Sequence, residues 1–268
     1  MLGLGNSLTT GGVLGLVPSE ISGLELHLKV NTGIVGADGG ASADGDMADG
    51  EDINSWADQS GRARHASQSS ELKKPHWETD AADFGGLVWT EADADPHLNL
   101  AQYSSADLVI DANEDFTIMI RFSISDFTET SSSTLEARAL IGSTAQNVIK
   151  LIGPTEVKTL IGGSGALGWA DSASMVVNTY YILTLTRSDG STGNLEVRIH
   201  GGAFSDKSWD SAESHRDADA FTINNIGCAN DGVIPMEGVI KDVLVWKGTA
   251  LTTSQRGDMH SYINGQEY

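Results

Sequence analysis

The chain carries 37 Asp and Glu against 16 Lys and Arg, a formal net charge of −21, so most of its chemically active side chains are carboxylates. The densest set runs Ala37-Asp-Gly-Gly-Ala-Ser-Ala-Asp-Gly-Asp-Met-Ala-Asp-Gly-Glu-Asp52. Asp44, Asp46, Asp49 and Asp52, with Glu51, are hard oxygen donors spaced closely enough to gather around calcium. Their order departs from that of twelve-residue calcium loops. After Asp44 and Asp46 the next ligand position is Ala48, and the position that needs glycine is Asp49. Two expectations therefore stand, a calcium site or a pliable solvated loop between strands. Sugar-ring hydrolysis with retention needs two carboxylates about 5 Å apart. Glu25, Glu196 and Glu237 fall in strand-like stretches, but none has a second acid two residues further on. An enzyme is not expected.

The aromatic rings give a second candidate. Trp77, Trp89, Trp169 and Trp209 lie in or beside stretches that read as loops. Trp169-Ala-Asp171 and Trp209-Asp210 each set a ring next to an acid, a pairing suited to a hydroxyl-rich ligand such as a sugar. Packing under long loops is the commoner use of such rings, and both readings are carried forward. The seven histidines, at 27, 65, 76, 97, 200, 215 and 260, are dispersed. The single cysteine, Cys228, excludes an intramolecular disulfide and a Cys-based zinc site. It sits in the alternating stretch Phe221-Thr-Ile-Asn-Asn-Ile-Gly-Cys228 and is expected to be a small core residue. No Gly-x-Ser-x-Gly, Walker loop or His-Glu-x-x-His occurs. Gly162-Gly-Ser-Gly165 reads as a turn, because no helix follows it to hold a phosphate.

The acidic balance argues against nucleic acid, whose binding needs Lys and Arg to neutralise phosphates, and against anionic membranes. No apolar run is long enough to span a bilayer, so membrane insertion is not expected. Met1 to Pro18 is rich in Gly and Leu, has no Lys or Arg and lacks a small-x-small cleavage site. It reads as an arm rather than a signal peptide, which implies a soluble product without a secretion signal.

The elements that must position these groups are mostly strands. Gly23-Leu-Glu-Leu-His-Leu-Lys29, Phe116-Thr-Ile-Met-Ile-Arg-Phe-Ser-Ile124, Tyr181-Ile-Leu-Thr-Leu-Thr-Arg187 and Leu195-Glu-Val-Arg-Ile-His200 alternate with period two. Ser188-Asp-Gly-Ser-Thr-Gly-Asn194 is a hairpin loop between the last two. Gly238-Val-Ile-Lys-Asp-Val-Leu-Val-Trp246 is more continuously apolar, as a strand buried on both faces would be. Thr252 to Ile263 reads as a helix with a hydroxyl N-cap and Gly265 as its stop. Ser104 to Leu108 is expected to form a single turn, and the acidic stretch 206–219 a surface loop. Strands at short intervals without intervening helices predict an all-β fold, an antiparallel β-sandwich with a short C-terminal helix. The expected partition is an N-terminal arm at 1–20 and one domain at 21–268.

Four stretches in order resemble the concanavalin A-like lectin/glucanase superfamily, in its laminin-G-like branch. They are Leu24-Glu-Leu-His-Leu-Lys29; Trp56-Ala-Asp-Gln-Ser-Gly61 with His65-Ala-Ser-Gln68 and Lys74-Pro75; Asp115 to Phe122; and Gly238 to Trp246 with Leu251 to Arg256 and Tyr262-Ile-Asn264. The resemblance implies a jelly roll with Trp56 between two sheets and with Trp246 and Tyr262 clamping the closing helix. The Glu-x-Asp-x-x-Glu string of the glucanase branch is absent. Met1-Leu-Gly-Leu-Gly-Asn-Ser-Leu8 is similar to the start of lectin-like virion structural proteins of marine bacteriophages. That likeness implies a non-enzymatic virion protein, a capsid decoration or appendage. Leu2, Leu4, Leu8, Leu14 and Leu16 would act as its assembly arm, and other virion proteins or copies of itself would be its partners. The alternative is a carbohydrate-binding module for surface polysaccharide, with calcium as its candidate cofactor, using Trp169, Asp171 and Trp209.

Overall fold

The structure, a computed structural model, describes residues 15–37, 47–79, 86–89, 98–99, 107–127, 138–144, 147–162, 166–189, 192–209, 217–229 and 235–265. These residues form 19 strands and a single α-helix, and every strand pairing among them is antiparallel. Strand labels follow chain order.

One sheet runs β16 (Phe204–Trp209), β15 (Asn194–Gly201), β14 (Tyr181–Ser188), β9 (Phe116–Ile124) and β19 (Gly238–Lys247). The far edge of β19 takes β6 (Gly86–Trp89) near its start and β1 (Leu24–Lys29) further along, and β5 (His76–Glu78) continues beyond β6. The second sheet runs β13 (Leu167–Ala170), β12 (Glu156–Leu160), β11 (Asn147–Ile152), β10 (Arg138–Thr144), β18 (Asn225–Ile226), β7 (Leu98–Asn99), β4 (Ala66–Ser67), β3 (Glu51–Trp56) and β2 (Ile34–Gly36). The first residues of β3 pair with β5 and its later ones with β2 and β4, so β3 turns the corner between the sheets. A small pair, β8 (Leu108–Ile110) with β17 (Phe221–Ile223), stands apart. The fold is an antiparallel jelly-roll β-sandwich with a short C-terminal helix.

The core follows from the two-residue period. On β9, Phe116, Ile118, Ile120, Phe122 and Ile124 point inward with Leu183 and Leu185 of β14 and Val243 and Val245 of β19. Each such side chain contributes about 1.5–3 kcal/mol on burial. Trp56 is fully buried in this core, and its Nε1 donates to the Lys29 carbonyl at 2.9 Å. Cys228 is buried as well.

The odd residues of β9 face the other way, onto α1 (Thr253–Asn264). Thr252 and Gln255 form a reciprocal capping box at its start. Its buried residues, Arg256, Met259, His260 and Ile263, repeat at helical spacing. They close over Met119, Ile182, Leu244 and Trp246, with Tyr262 and Leu16 at the margin. Arg121 Nη1 donates to the Ile263 carbonyl at 3.2 Å, a cation at the helix C-terminus. Leu16, expected to belong to the assembly arm, packs against this cluster. Leu2, Leu4, Leu8 and Leu14 lie outside the described residues.

Two local expectations are corrected. The stretch after Phe204 is an edge strand up to Trp209, not a loop, because Phe204 and Trp209 anchor it in the core. Its register slips between Ile199 and Gly201 of the neighbouring strand. At that irregularity Asp206 takes a positive φ of 47° and turns its carboxylate to α1, 3.4 Å from Arg256 Nε. Leu108 lies in β8, not in a turn, and residues 104–106 fall outside the described residues.

Candidate functional site

The aromatic candidates are placed in the core. Trp169 sits on β13 with 4% of its surface exposed, its Nε1 donating to Thr159 Oγ1 at 3.2 Å. Trp209 is 1% exposed, its ring 5.7 Å from that of Phe204. Neither offers a free face for stacking on a sugar. Asp171 leaves β13 and accepts from the Ala173 amide at 2.8 Å, and Lys207 Nζ of β16 lies 2.5 Å from its Oδ2. These contacts hold its carboxyl below the usual carboxylate range, the Lys207 hydrogen bond being the largest cause. The structure therefore brings Trp169, Asp171 and Trp209 to one edge of the sandwich, where they join the two sheets. The spacing of the three in sequence gave no sign of Lys207.

Of the acidic segment, Asp44 and Asp46 lie outside the described residues. Asp49 Oδ1 accepts from the Thr79 amide at 2.9 Å and its hydroxyl at 3.2 Å. Asp52 Oδ1 stands 3.8 Å from His76 Nδ1. Glu51 accepts from the Ala48 amide at 3.1 Å and packs on Gly36. These carboxylates are turned to different protein partners, and among the described residues no group of three His, Cys, Asp or Glu is arranged to hold a metal ion. The described part of the segment does not fit calcium.

The Trp-x-Asp-x-Ser-Gly stretch builds a turn. Asp58 accepts from the His27 amide at 2.9 Å, the Ser60 amide at 2.9 Å, the Ser60 hydroxyl at 2.7 Å and the Arg64 amide at 3.0 Å. The three glutamates weighed as catalytic acids are each in an ion pair, Glu25 with Arg62 and Arg64, Glu196 with Arg198, and Glu237, just before β19, with Arg138.

Among the described residues, the outer face of β11–β13 is a surface that α1 does not cover. The core-facing residues of this sheet are Ile149, Leu151, Val157 and Trp169. Their alternates, Lys150 and Ile152 on β11 and Glu156, Lys158 and Leu160 on β12, point outward and are partly exposed. Register aligns Ala139, Lys150, Lys158 and Gly168 in one row across four strands. The two lysines thus rise side by side between two small residues. Val148 and Leu160 form the next row on one side, and Ile152, Glu156 and Ala170 the next on the other. Ala229 packs onto Ala139 and Val148 and closes the β10 end. Lys158 Nζ is 3.4 Å from Glu156 Oε1. Burial, and secondly Lys158, lower the pKa of Lys150. Sequence reading missed this face because Val148 and Ile152 point outward beside Lys150, which blurs the alternation of β11, and β12 has only five residues.

The fold is shared with solved β-sandwich domains. Domain 4 of AbnA, a GH43 extracellular arabinanase from Geobacillus stearothermophilus solved in complex with arabinotriose, matches with a TM-score of 0.52 and 14% identity, covering 89% of this chain and 98% of that one. The binding domain of botulinum neurotoxin serotype G matches with a TM-score of 0.51 and 12% identity, covering 91% of this chain and 51% of that one. At such identities the likeness is one of fold. It agrees with the lectin-like jelly roll that the sequence motifs imply. No protein-family model and no curated protein matches the chain. Among the described residues no helix is long and apolar enough to cross a membrane.

Proposed function

We propose that this chain is a non-catalytic, glycan-binding β-sandwich module whose ligand lies on the outer face of β11–β13. One contrast carries the reading. The outer face of the opposite sheet is sealed by α1 with its own apolar cluster, while the β11–β13 face keeps a broad row of partly exposed residues on a flat floor. An aliphatic lining with a few placed polar groups suits the alternating apolar and hydroxyl surfaces of a sugar chain. The arabinotriose-bound domain with the same fold supports the reading at the level of architecture.

The test is binding to a panel of immobilised polysaccharides, compared with a Gly168→Leu variant. Gly168 has no strained backbone, and a Cβ there would meet only the flexible end of Glu156 at 3.1 Å, so the variant should fold and obstruct the floor. Retention of the parent by some glycan and loss in the variant is expected. No retention by any glycan, or equal retention by both proteins, contradicts the reading. Cleavage of a retained glycan would contradict the non-catalytic part, and loss of retention in chelator would restore the calcium dependence that the described carboxylates do not support.

A virion location is a second reading, favoured by the similarity of Met1 to Leu8 to phage structural proteins. It is compatible with glycan binding, since a virion lectin would serve host adhesion. Deleting residues 2–14, which spares Leu16 and its packing, should abolish incorporation into particles if the arm docks them.

A further inference from the structure

The acidic composition makes one base conspicuous. Nearly every described Lys and Arg is spent on an acid, a carbonyl or a ring. Lys74 pairs with Glu71, Lys207 with Asp171 and Lys247 with Asp111 and Glu114. Arg187 donates to the carbonyls of Asp111, Glu114, Asp217 and Asp219. Lys241 Nζ lies 4.0 Å from the centre of the Tyr180 ring, and Lys29 Nζ 5.9 Å from that of Tyr262. Among the described residues Lys150 has none of these. Its cross-strand neighbour is Lys158, and like charges placed directly opposite on a sheet destabilise it. A sequence with 37 acids has set two cations together, left one without an acid among the described residues, and put Gly168 beside Lys158, where no side chain fills the space. That arrangement is complementary to an anion presented by a molecule lying flat on the sheet.

We propose that the β11–β13 face selects carboxylated glycans of the uronic-acid type, a sugar carboxylate seated between Lys150 and Lys158 and neighbouring rings of the same glycan lying over Gly168, toward Ile152 on one side of the lysine row and Leu160 on the other. The proposal rests on the glycan-binding reading above and adds the class of ligand. The cations must act at contact range. The net charge of −21 repels a polyanion at a distance, and at physiological salt that repulsion is screened beyond about 8 Å. Glu156, paired with Lys158, would be displaced or would accept from a ring hydroxyl.

The experiment is calorimetric titration with polygalacturonate, its fully methyl-esterified form, neutral galactan and dextran sulfate, using the parent protein and Lys150→Gln, Lys158→Gln and Lys150→Arg variants. Unaltered thermal melting of the variants checks their folding. Binding of polygalacturonate is expected to fall at least about tenfold on esterification and in Lys150→Gln, as for loss of a charge-assisted hydrogen bond. Lys158→Gln should fall comparably, and Lys150→Arg should keep most of the affinity. Equal affinity for neutral galactan, unaffected by Lys150→Gln, overturns the charge selection and leaves glycan binding standing. Dextran sulfate binding as tightly as polygalacturonate overturns the carboxylate assignment. Binding of none of these polymers overturns this proposal, and only silence across the wider polysaccharide panel would also end the glycan-binding reading.

Discussion

Lys207 Nζ, on the edge strand of one sheet, lies 2.5 Å from Asp171 Oδ2, on the loop leaving the edge strand of the other. Short strands and exposed edges are a hazard for a sandwich, and this contact ties the two edges where, among the described residues, no strand pairing does. Asp171→Asn should lower stability by roughly 1 kcal/mol at neutral pH, a figure kept small because Lys207 is half exposed. The folded carboxyl lies below its usual range, so its contribution is complete above the ordinary carboxylate pKa and is lost as pH falls through the folded value. Urea unfolding of both proteins at pH 7 and pH 3 checks this: the difference should shrink at pH 3.

Asp242 behaves in the opposite sense. It is fully buried beneath α1, and burial pushes its carboxyl up to about 6 against the pull of Arg121, Lys29 and Lys241. A group raised in the folded state contributes stability that is present below its unfolded pKa and lost as pH rises through the folded one. Wild type should therefore lose stability relative to Asp242→Asn between about pH 4 and 6, with no further change above. A gap that does not vary with pH would show the carboxyl titrating normally.

His27 shares the layer beneath the helix, its ring centre 5.9 Å from that of Tyr262. Burial, then Lys29, lower its pKa to about 4. Its neutral form is the folded one, so its contribution is present above pH 6.5 and is lost as pH falls through 4. His260 is shifted the same way by burial, with its ring stacked 4.3 Å from His200. His27→Gln should flatten the acid loss of stability by up to about 1.4 kcal/mol per pH unit over that window. Thermal melts at half-unit pH steps measure it.

Removing the Asp58 carboxylate strands four donors at once. Asp58→Ala should cost about 3 kcal/mol or more, since each buried donor left unsatisfied costs ~1–3 kcal/mol. Asp58→Asn, which keeps acceptor oxygen but not charge, should cost less. Equal costs in guanidinium unfolding would contradict this account of the turn.

The helix-covered sheet was legible in the sequence because its strands have one apolar inner row and an outer row mixed with charge, such as Arg121 between Met119 and Ser123. The predicted bounds of β1, β9, β14, β15, β19 and α1 agree with the structure to within one residue at either end. The other sheet was not legible. Its outward Val148 and Ile152 blur the alternation of β11, β12 has only five residues, and β2, β4, β7 and β18 have two or three residues each, too few to show a period. The candidate site suffered from the same blindness. Tryptophans beside acids stood out by type, yet Trp169 and Trp209 point inward, while Lys150 acquires meaning only from the register that sets it against Lys158.

The most direct measurement of where the ligand lies is a map of backbone amide chemical-shift changes on titrating a soluble galacturonate oligomer into the labelled protein. The account predicts perturbations concentrated on Lys150, Ile152, Lys158, Leu160 and Gly168. Perturbations confined to the loop around Asp49 and Asp52, or to α1, would contradict it.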